Sequence, residues 1–413
     1  MPLFTLIFLV AVIARVGLEL WLARRHVNHV LRHRGAVPVE FADTLSLQAH
    51  QRAADYTVAR TRFGMLGTAL DTVLLLVFTL GGGLDWIAGL LESWVAPGYL
   101  RELLLIGAFA LITGVIALPF DWHRVFGIEE RFGFNKMTRK LFLVDGLRNL
   151  GVSLVLGTPL LLAILWFINS AGTYWWLYAW VTVCVFMLFM QVIYPSVIAP
   201  LYNKFAPLEE GPLKQMIQSL LTRCGFTAGG LFVMDGSKRS RHSNAFFSGF
   251  GAAKRIVLFD TLIEKLQPVE IEAVLAHELG HFKRNHIIKS IGMVFAMSLL
   301  FFGLLGYLMN QGWFYTSLGV SHQSPAMALL LLSLVLPVFT FVLFPLLSLS
   351  SRKREFEADE YAAGQTSAAA LISALTRIYD DNAATVTPDP LHSAFHDSHP
   401  PAFIRIGRLK AAT

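Results

Sequence analysis

LLLIGAFALITGVIALPF, from Leu103 to Phe120, runs 18 residues without a charge. A bilayer core about 30 Å thick is crossed by a helix of roughly 20 mostly apolar residues. The stretch therefore reads as a transmembrane helix. Six others approach its length: Leu3–Ala23, Phe63–Leu84, Leu150–Ile168, Tyr174–Ile198, Ile287–Leu308 and Met327–Leu347. The whole 413-residue chain agrees. It is 55% apolar without counting Gly and only 15% charged, with a mean hydropathy of +0.56, whereas soluble domains are about 25% charged. A soluble fold, a disordered chain and a fibrous repeat are excluded. Two cysteines, Cys184 and Cys224, cannot make a disulfide framework.

The first stretch has no basic residue ahead of it, carries Arg15 and Glu19 inside it, and is followed by no clear cleavage site. It reads as a retained helix, not a signal peptide. Arg15 and Glu19 stand four apart on one helix face and can neutralise each other, as a structural pair or toward a cavity. Lys and Arg fix the orientation. Seven lie between spans 1 and 2, six between spans 3 and 4, twelve from Leu201 to Lys289, and seven after span 7. All 32 fall on one side; only Arg101 falls in a loop on the other. By the positive-inside rule the basic side is cytoplasmic, with the amino end outside and the carboxyl end inside. The net charge of +6 then reports topology, not a nucleic-acid partner.

Four regions follow. Residues 1–200 hold five spans, 201–286 a cytoplasmic segment, 287–348 a two-span hairpin and 349–413 a cytoplasmic tail. In the segment, Leu231–Met234 and Arg255–Phe259 read as short strands. The tail is helical through its Ala-rich middle and turns at Thr387-Pro388-Asp389-Pro390.

His277-Glu278-Leu279-Gly280-His281 carries the chemistry. His277 and His281 lie one turn apart on one helix face, a spacing that lets both imidazoles bind one Zn²⁺, with Glu278 as general base toward the attacking water. Pro268 suits the first turn of that helix. A catalytic zinc needs a third protein ligand and an open position. The last hairpin returns the chain to the same side, at Glu355-Phe356-Glu357-Ala358-Asp359. Glu355 then serves as ligand, with Asp359 behind it to hold the outer nitrogen of a ligand histidine. Taken alone, the string also reads as a solvated acidic face balancing Arg352, Lys353 and Arg354. The tail holds His392, His396 and His399, with Arg405 beyond; a His or an Arg beside the metal would stabilise a tetrahedral oxyanion, and a loose His-rich tail is the plain alternative.

These strings occur with several others: Glu130-Arg131-Phe132-Gly133-Phe134-Asn135-Lys136, Ile198-Ala199-Pro200-Leu201-Tyr202-Asn203-Lys204-Phe205, Ser243-Asn244-Ala245-Phe246-Phe247, Lys254-Arg255-Ile256-Val257-Leu258-Phe259-Asp260-Thr261 and Ser398-His399-Pro400-Pro401. In this order, over most of its length, the chain resembles the type I CAAX prenyl proteases, integral-membrane zinc metalloproteases. The resemblance implies an α-helical multi-span membrane protein, seven transmembrane helices around an intramembrane chamber, with a small α+β metalloprotease portion on the cytoplasmic side. It implies His277, His281 and Glu355 as ligands of one Zn²⁺ per chain and Glu278 as base. His399 and Arg405 become stabilisers of the intermediate or the substrate backbone. Asn244 and Ala245 become part of an edge strand that pairs with an extended substrate. Arg15, Glu19 and Asp71 gain a second reading, facing the chamber. One departure stands out: Phe246 occupies a position where the family often has Tyr.

The function expected is hydrolysis of peptide bonds, with the family's removal of the last three residues of prenylated Cys-aliphatic-aliphatic-X proteins as the model. The expected partners are a peptide or lipid-modified protein substrate and membrane lipid, with no nucleic acid. The tail, ending Arg408-Leu409-Lys410-Ala411-Ala412-Thr413, lacks a dilysine retrieval signal, which points to a bacterial inner membrane over the endoplasmic reticulum. In a bacterium, a natural substrate other than a prenylated protein is expected. A broad quality-control protease, a transporter and a non-catalytic metal-binding scaffold are the alternatives the residues leave open.

Overall fold

A computed structural model describes residues 2–248 and 255–411; Lys254, Ala412 and Thr413 of the strings above lie outside the described residues. Among the described residues, seven helices are long and apolar enough to cross a membrane: Leu3–His33, Leu47–Phe78, Tyr99–Glu129, Arg139–Ser170, Gly172–Tyr202, His286–Leu308 and Pro325–Gln365, spans 1 to 7. Each expected stretch lies largely within one of them. Several run on into polar sequence, because a helix ends at a cap or a turn and not where its hydropathy falls. Span 2 starts at Leu47, behind the capping hydroxyl of Ser46, which accepts from Ala49 N at 3.1 Å.

Span 2 also stops earlier than its apolar run suggests. It ends at Phe78, and a glycine run turns the chain into a separate short helix, Gly83–Trp94. Gly82 has φ +72, and a Cβ at Gly81 or Gly83 would stand 2.8 Å from the Val77 carbonyl oxygen. Only glycines permit this reversal.

Among the described residues, the two largest apolar cores are separated along the spans. One gathers the ends of the spans away from the basic side, with Phe8, Phe78, Leu305, Phe314, Leu318 and Leu331 all at 8% exposure or less. The short helix Gly83–Trp94 and the link between spans 6 and 7 cap it. The other lies beneath the basic ends. Only 6–17% of the apolar stretch of each of the first six is buried within the protein, against 44% for the seventh, which packs on spans 1, 3, 4 and 6. A ≈ 610 Å³ cavity in this region is lined by Arg15, Glu19 and Asp71. Arg15 Nε donates to Glu19 at 2.9 Å, so the pair faces an interior space, as polar groups at such depth must.

The second core supports a four-stranded sheet of order β1-β2-β4-β3, with β1 Phe205–Pro207, β2 Gly230–Met234, β3 Ala245–Ser248 and β4 Arg255–Phe259. β2 and β4 pair in parallel; β1 and β3 are antiparallel edge strands. Ile256, Val257 and Leu258 are at most 2% exposed, so this apolar run is the sheet's centre. Span 3 ends in a π-helical turn, Arg124–Glu129, and span 5 contains another, Tyr194–Ile198. These turns deliver two of the quoted strings to the sheet. Asn203 Nδ2 donates to Asp235 Oδ1 at 3.0 Å, and Arg239 pairs with Asp145 of span 4 at 2.8 Å. Tyr56 Oη of span 2 donates to Glu129 at 2.6 Å, and His242 Nε2 stands 3.4 Å from the same carboxylate.

Candidate active site

The helix Pro268–Lys283 starts with Pro268 at its first position and a capping box: Glu270 accepts from the Gln267 backbone N–H at 2.7 Å. Ile271, Ala273, Leu275, Ala276 and Leu279 face the second core at 2% exposure or less. Burial of that face fixes the rotation that aims His277 and His281 at span 7. The helix stops at Asn285, which adopts φ 56, and span 6 begins at His286. Asn tolerates this left-handed turn better than most residues.

Span 7 supplies the opposite wall. Its helix continues through Arg352–Arg354 to Gln365 and carries Glu355 and Asp359, both buried, toward the histidines. The two helices approach closely because Gly280 faces Ala358: a Cβ at Gly280 would stand 3.0 Å from the Ala358 Cα and 3.2 Å from its carbonyl oxygen. Gly280→Ala should therefore push the helices apart, at a cost of about 1–3 kcal/mol. It is expected to lower both Tm and metal retention, checked by thermal unfolding and metal analysis of the purified variant.

One donor atom each from His277, His281 and Glu355 lies within 4.8 Å of the other two. The two Nε2 atoms are 3.2 Å apart, and they stand 3.5 Å and 3.4 Å from the Glu355 oxygens. Glu355 Oε2 is buried and has no hydrogen-bond partner. Leaving a carboxylate oxygen so exposes the protein to a desolvation penalty unless something takes it. Two imidazoles and one orphaned carboxylate oxygen converging on one point fit a divalent metal ion.

The outer nitrogens are held in turn. His277 Nδ1 is 2.9 Å from Asp359 Oδ1. His281 Nδ1 is 3.0 Å from His286 Nδ1, and His286 Nε2 is 3.0 Å from Glu357 Oε2. His286 and Glu357 were not anticipated. The only cue was a third histidine five residues after His281, and its use depends on the turn at Asn285. Burial disfavours an imidazolium at His277, but the carboxylates of Asp359 and Glu355 outweigh it and lift the pKa to about 9. His281 is lowered to about 4 by burial and by His277. Glu278 is recessed in the adjoining cavity, and desolvation raises its carboxyl above the usual range.

Arg405 is 5% exposed and forks onto Asp359, with Nε donating to Oδ2 at 2.8 Å. Its Nη1 stands 3.8 Å from Glu355 Oε2. Its guanidinium is thus engaged with carboxylates behind the histidines, where it balances charge and orients Asp359. Arg405→Met would leave Asp359 short of its partner. For a buried pair this costs about 3–5 kcal/mol, so a marked fall in Tm is expected in the purified variant. His399 is 61% exposed in its side chain, and its Nε2 lies 3.5 Å from Glu355 Oε1. Its loop is held by Ser348 Oγ, which donates to the Asp397 carbonyl at 2.8 Å. His392 stacks on His26 and meets His396 at a tilt, neither of them in the trio. Ala245 opens the edge strand β3, and Asn244, exposed, precedes it and accepts through its carbonyl from Phe259 N at 3.1 Å.

Comparison with known proteins gives a consistent picture. Residues 26–204 match the family model described as CAAX prenyl protease N-terminal, five membrane helices, and residues 207–413 match peptidase family M48. The chain is 35% identical to a CAAX prenyl protease 1 homolog of Oryza sativa subsp. japonica, over 91% of this chain and 90% of that one. It is 32% identical to CAAX prenyl protease 1 of Saccharomyces cerevisiae, over 96% and 93%. The crystal structure of S. mikatae Ste24p superposes with a TM-score of 0.91 at 30% identity, covering 99% of both chains.

Proposed function

Because the chain belongs to the CAAX prenyl protease family within the M48 peptidases, we propose that this membrane metalloprotease is a zinc enzyme that cuts near the carboxyl end of lipid-modified proteins. The observation that carries the metal assignment is the convergence on one point of His277, His281 and Glu355, whose buried Oε2 receives no hydrogen bond. Imidazole and carboxylate donors suit zinc. Bound there, zinc would supply Lewis acidity toward the scissile carbonyl and acidify water.

The chain's own residues do the rest. Glu278 takes a proton from the attacking water as its oxygen bonds the carbonyl carbon. It then passes that proton to the leaving nitrogen as the C–N bond breaks. Asp359 and the His286–Glu357 pair hold the two histidines in one tautomer and orientation. His399, exposed beside Glu355, is placed to donate to the developing oxyanion. Arg405 is a positioning residue. The free side of β3, with Asn244 and Ala245 at its start, offers backbone groups to an extended substrate.

The lopsided basic charge supports a cytoplasmic catalytic side, whether the membrane is a bacterial inner membrane or the endoplasmic reticulum. The relatives' names support a prenylated substrate. Comparing a farnesylated with an unfarnesylated peptide tests that point: a higher kcat/KM for the lipidated peptide is expected, and equal rates on both, together with degradation of unrelated misfolded membrane proteins, would turn the reading toward quality control.

A further inference from the structure

Beside the histidine helix, spans 5 and 6 leave a groove of ≈ 640 Å³ that opens onto Glu278, His281 and Glu355. Its walls are mostly apolar, built from Phe186 and Met190 of span 5, Ile291, Val294 and Phe295 of span 6, and Phe247 of β3, with Glu278 and Glu355 at the metal end. Among the described residues, Arg354 is the only arginine or lysine in these walls. Its guanidinium donates to three neutral oxygens: Ser290 Oγ at 2.5 Å, Ser350 Oγ at 3.2 Å and the His286 carbonyl at 3.5 Å. Among the described residues no carboxylate pairs with it. Glu357, one turn further along the helix, is engaged by His286. The other arginine near the site, Arg405, is committed to Asp359. A cation at the wall of a largely apolar groove, held by hydroxyls and a carbonyl with no carboxylate paired to it, is a site for an anion. The planar guanidinium matches a carboxylate in two-point fashion.

The cation also stands beside the elements that carry the trio. It bonds the carbonyl of His286, whose Nδ1 is 3.0 Å from His281 Nδ1. In the chain Arg354 directly precedes Glu355 of the trio, and three extended residues reach about 10 Å. We propose that Arg354 binds the free α-carboxylate of the substrate. The apolar walls would take the side chains of the last residues. Specificity for cutting close to a chain end then comes from a salt link as well as from the lipid. The inference rests on the peptidase reading and adds to it a specificity-determining residue.

The test uses two peptides of one sequence, one ending in a free acid and one in an amide, with the full-length protein in phosphatidylcholine nanodiscs. The wild type is expected to favour the acid by about 10–100-fold in kcat/KM, the range of a charge-assisted hydrogen bond. Arg354→Gln should bring the ratio near one, and Arg354→Lys should keep part of it. Equal cleavage of acid and amide by the wild type would overturn the proposal. So would an Arg354→Gln variant that slows both alike; if added anionic lipid changes that loss, the groove's anion is a lipid phosphate. If the wild type cuts neither peptide, the peptidase reading fails. Binding of the same two peptides to the Glu278→Gln variant then still decides the anchor: tighter binding of the acid supports it, and equal affinity overturns it.

Discussion

Glu278→Gln is expected to keep its metal and lose hydrolysis, with kcat lowered by about 10²–10⁴-fold, the usual contribution of a positioned general base. The glutamine is isosteric and neutral, so the recessed position in the groove is filled as before. Neither histidine of the trio depends on Glu278; they are held by Asp359 and by His286. Metal content per chain should therefore stay at the wild-type value while peptide cleavage, followed by mass spectrometry, falls. A variant that cleaves at the native rate would remove Glu278 from the reaction.

His277→Ala is expected to cost more, because it removes a donor and not a proton carrier. His277 is the donor with the most complete support, 2.9 Å from Asp359, which is itself forked by Arg405. Its loss leaves one imidazole and one carboxylate, too few to hold a catalytic metal. Metal content after dialysis should drop to near zero, and activity should fall below that of Glu278→Gln. The Asp359–Arg405 fork remains, so the variant should still unfold cooperatively. A variant that retained metal and activity would place the metal elsewhere.

Features local in sequence were legible; those that depend on distant pairing or on a single turn were not. Seven apolar runs predicted seven spans because lipid imposes a length and a composition on each crossing. The far end of span 7 was not visible in the same way. The apolar run stops near Leu347, yet the helix goes on to Gln365 through charged residues. The separation of span 2 from Gly83–Trp94 was hidden by apolar residues on both sides of the glycine run. β2 and β4 announced themselves as apolar runs, but β1 is three residues long and gains its strand character only by pairing with β2. At the site, the histidine pair could be read from its helical spacing, whereas Glu355 and Asp359 joined it only in the light of that pair, since taken alone they suit a solvated acidic face. His286 could not, since its approach to His281 follows from the left-handed turn at Asn285. Nor could the role of Gly280, which matters because Ala358 of another helix lies against it.

Mass spectrometry of the products from a farnesylated peptide ending in a CAAX sequence, with and without a zinc chelator, tests the central claim most directly. The account predicts release of the last three residues by the wild type, loss of that product with the chelator and its return on adding Zn²⁺. Cleavage that persists unchanged when the metal is stripped, or no cleavage by protein with a full complement of zinc, would contradict it.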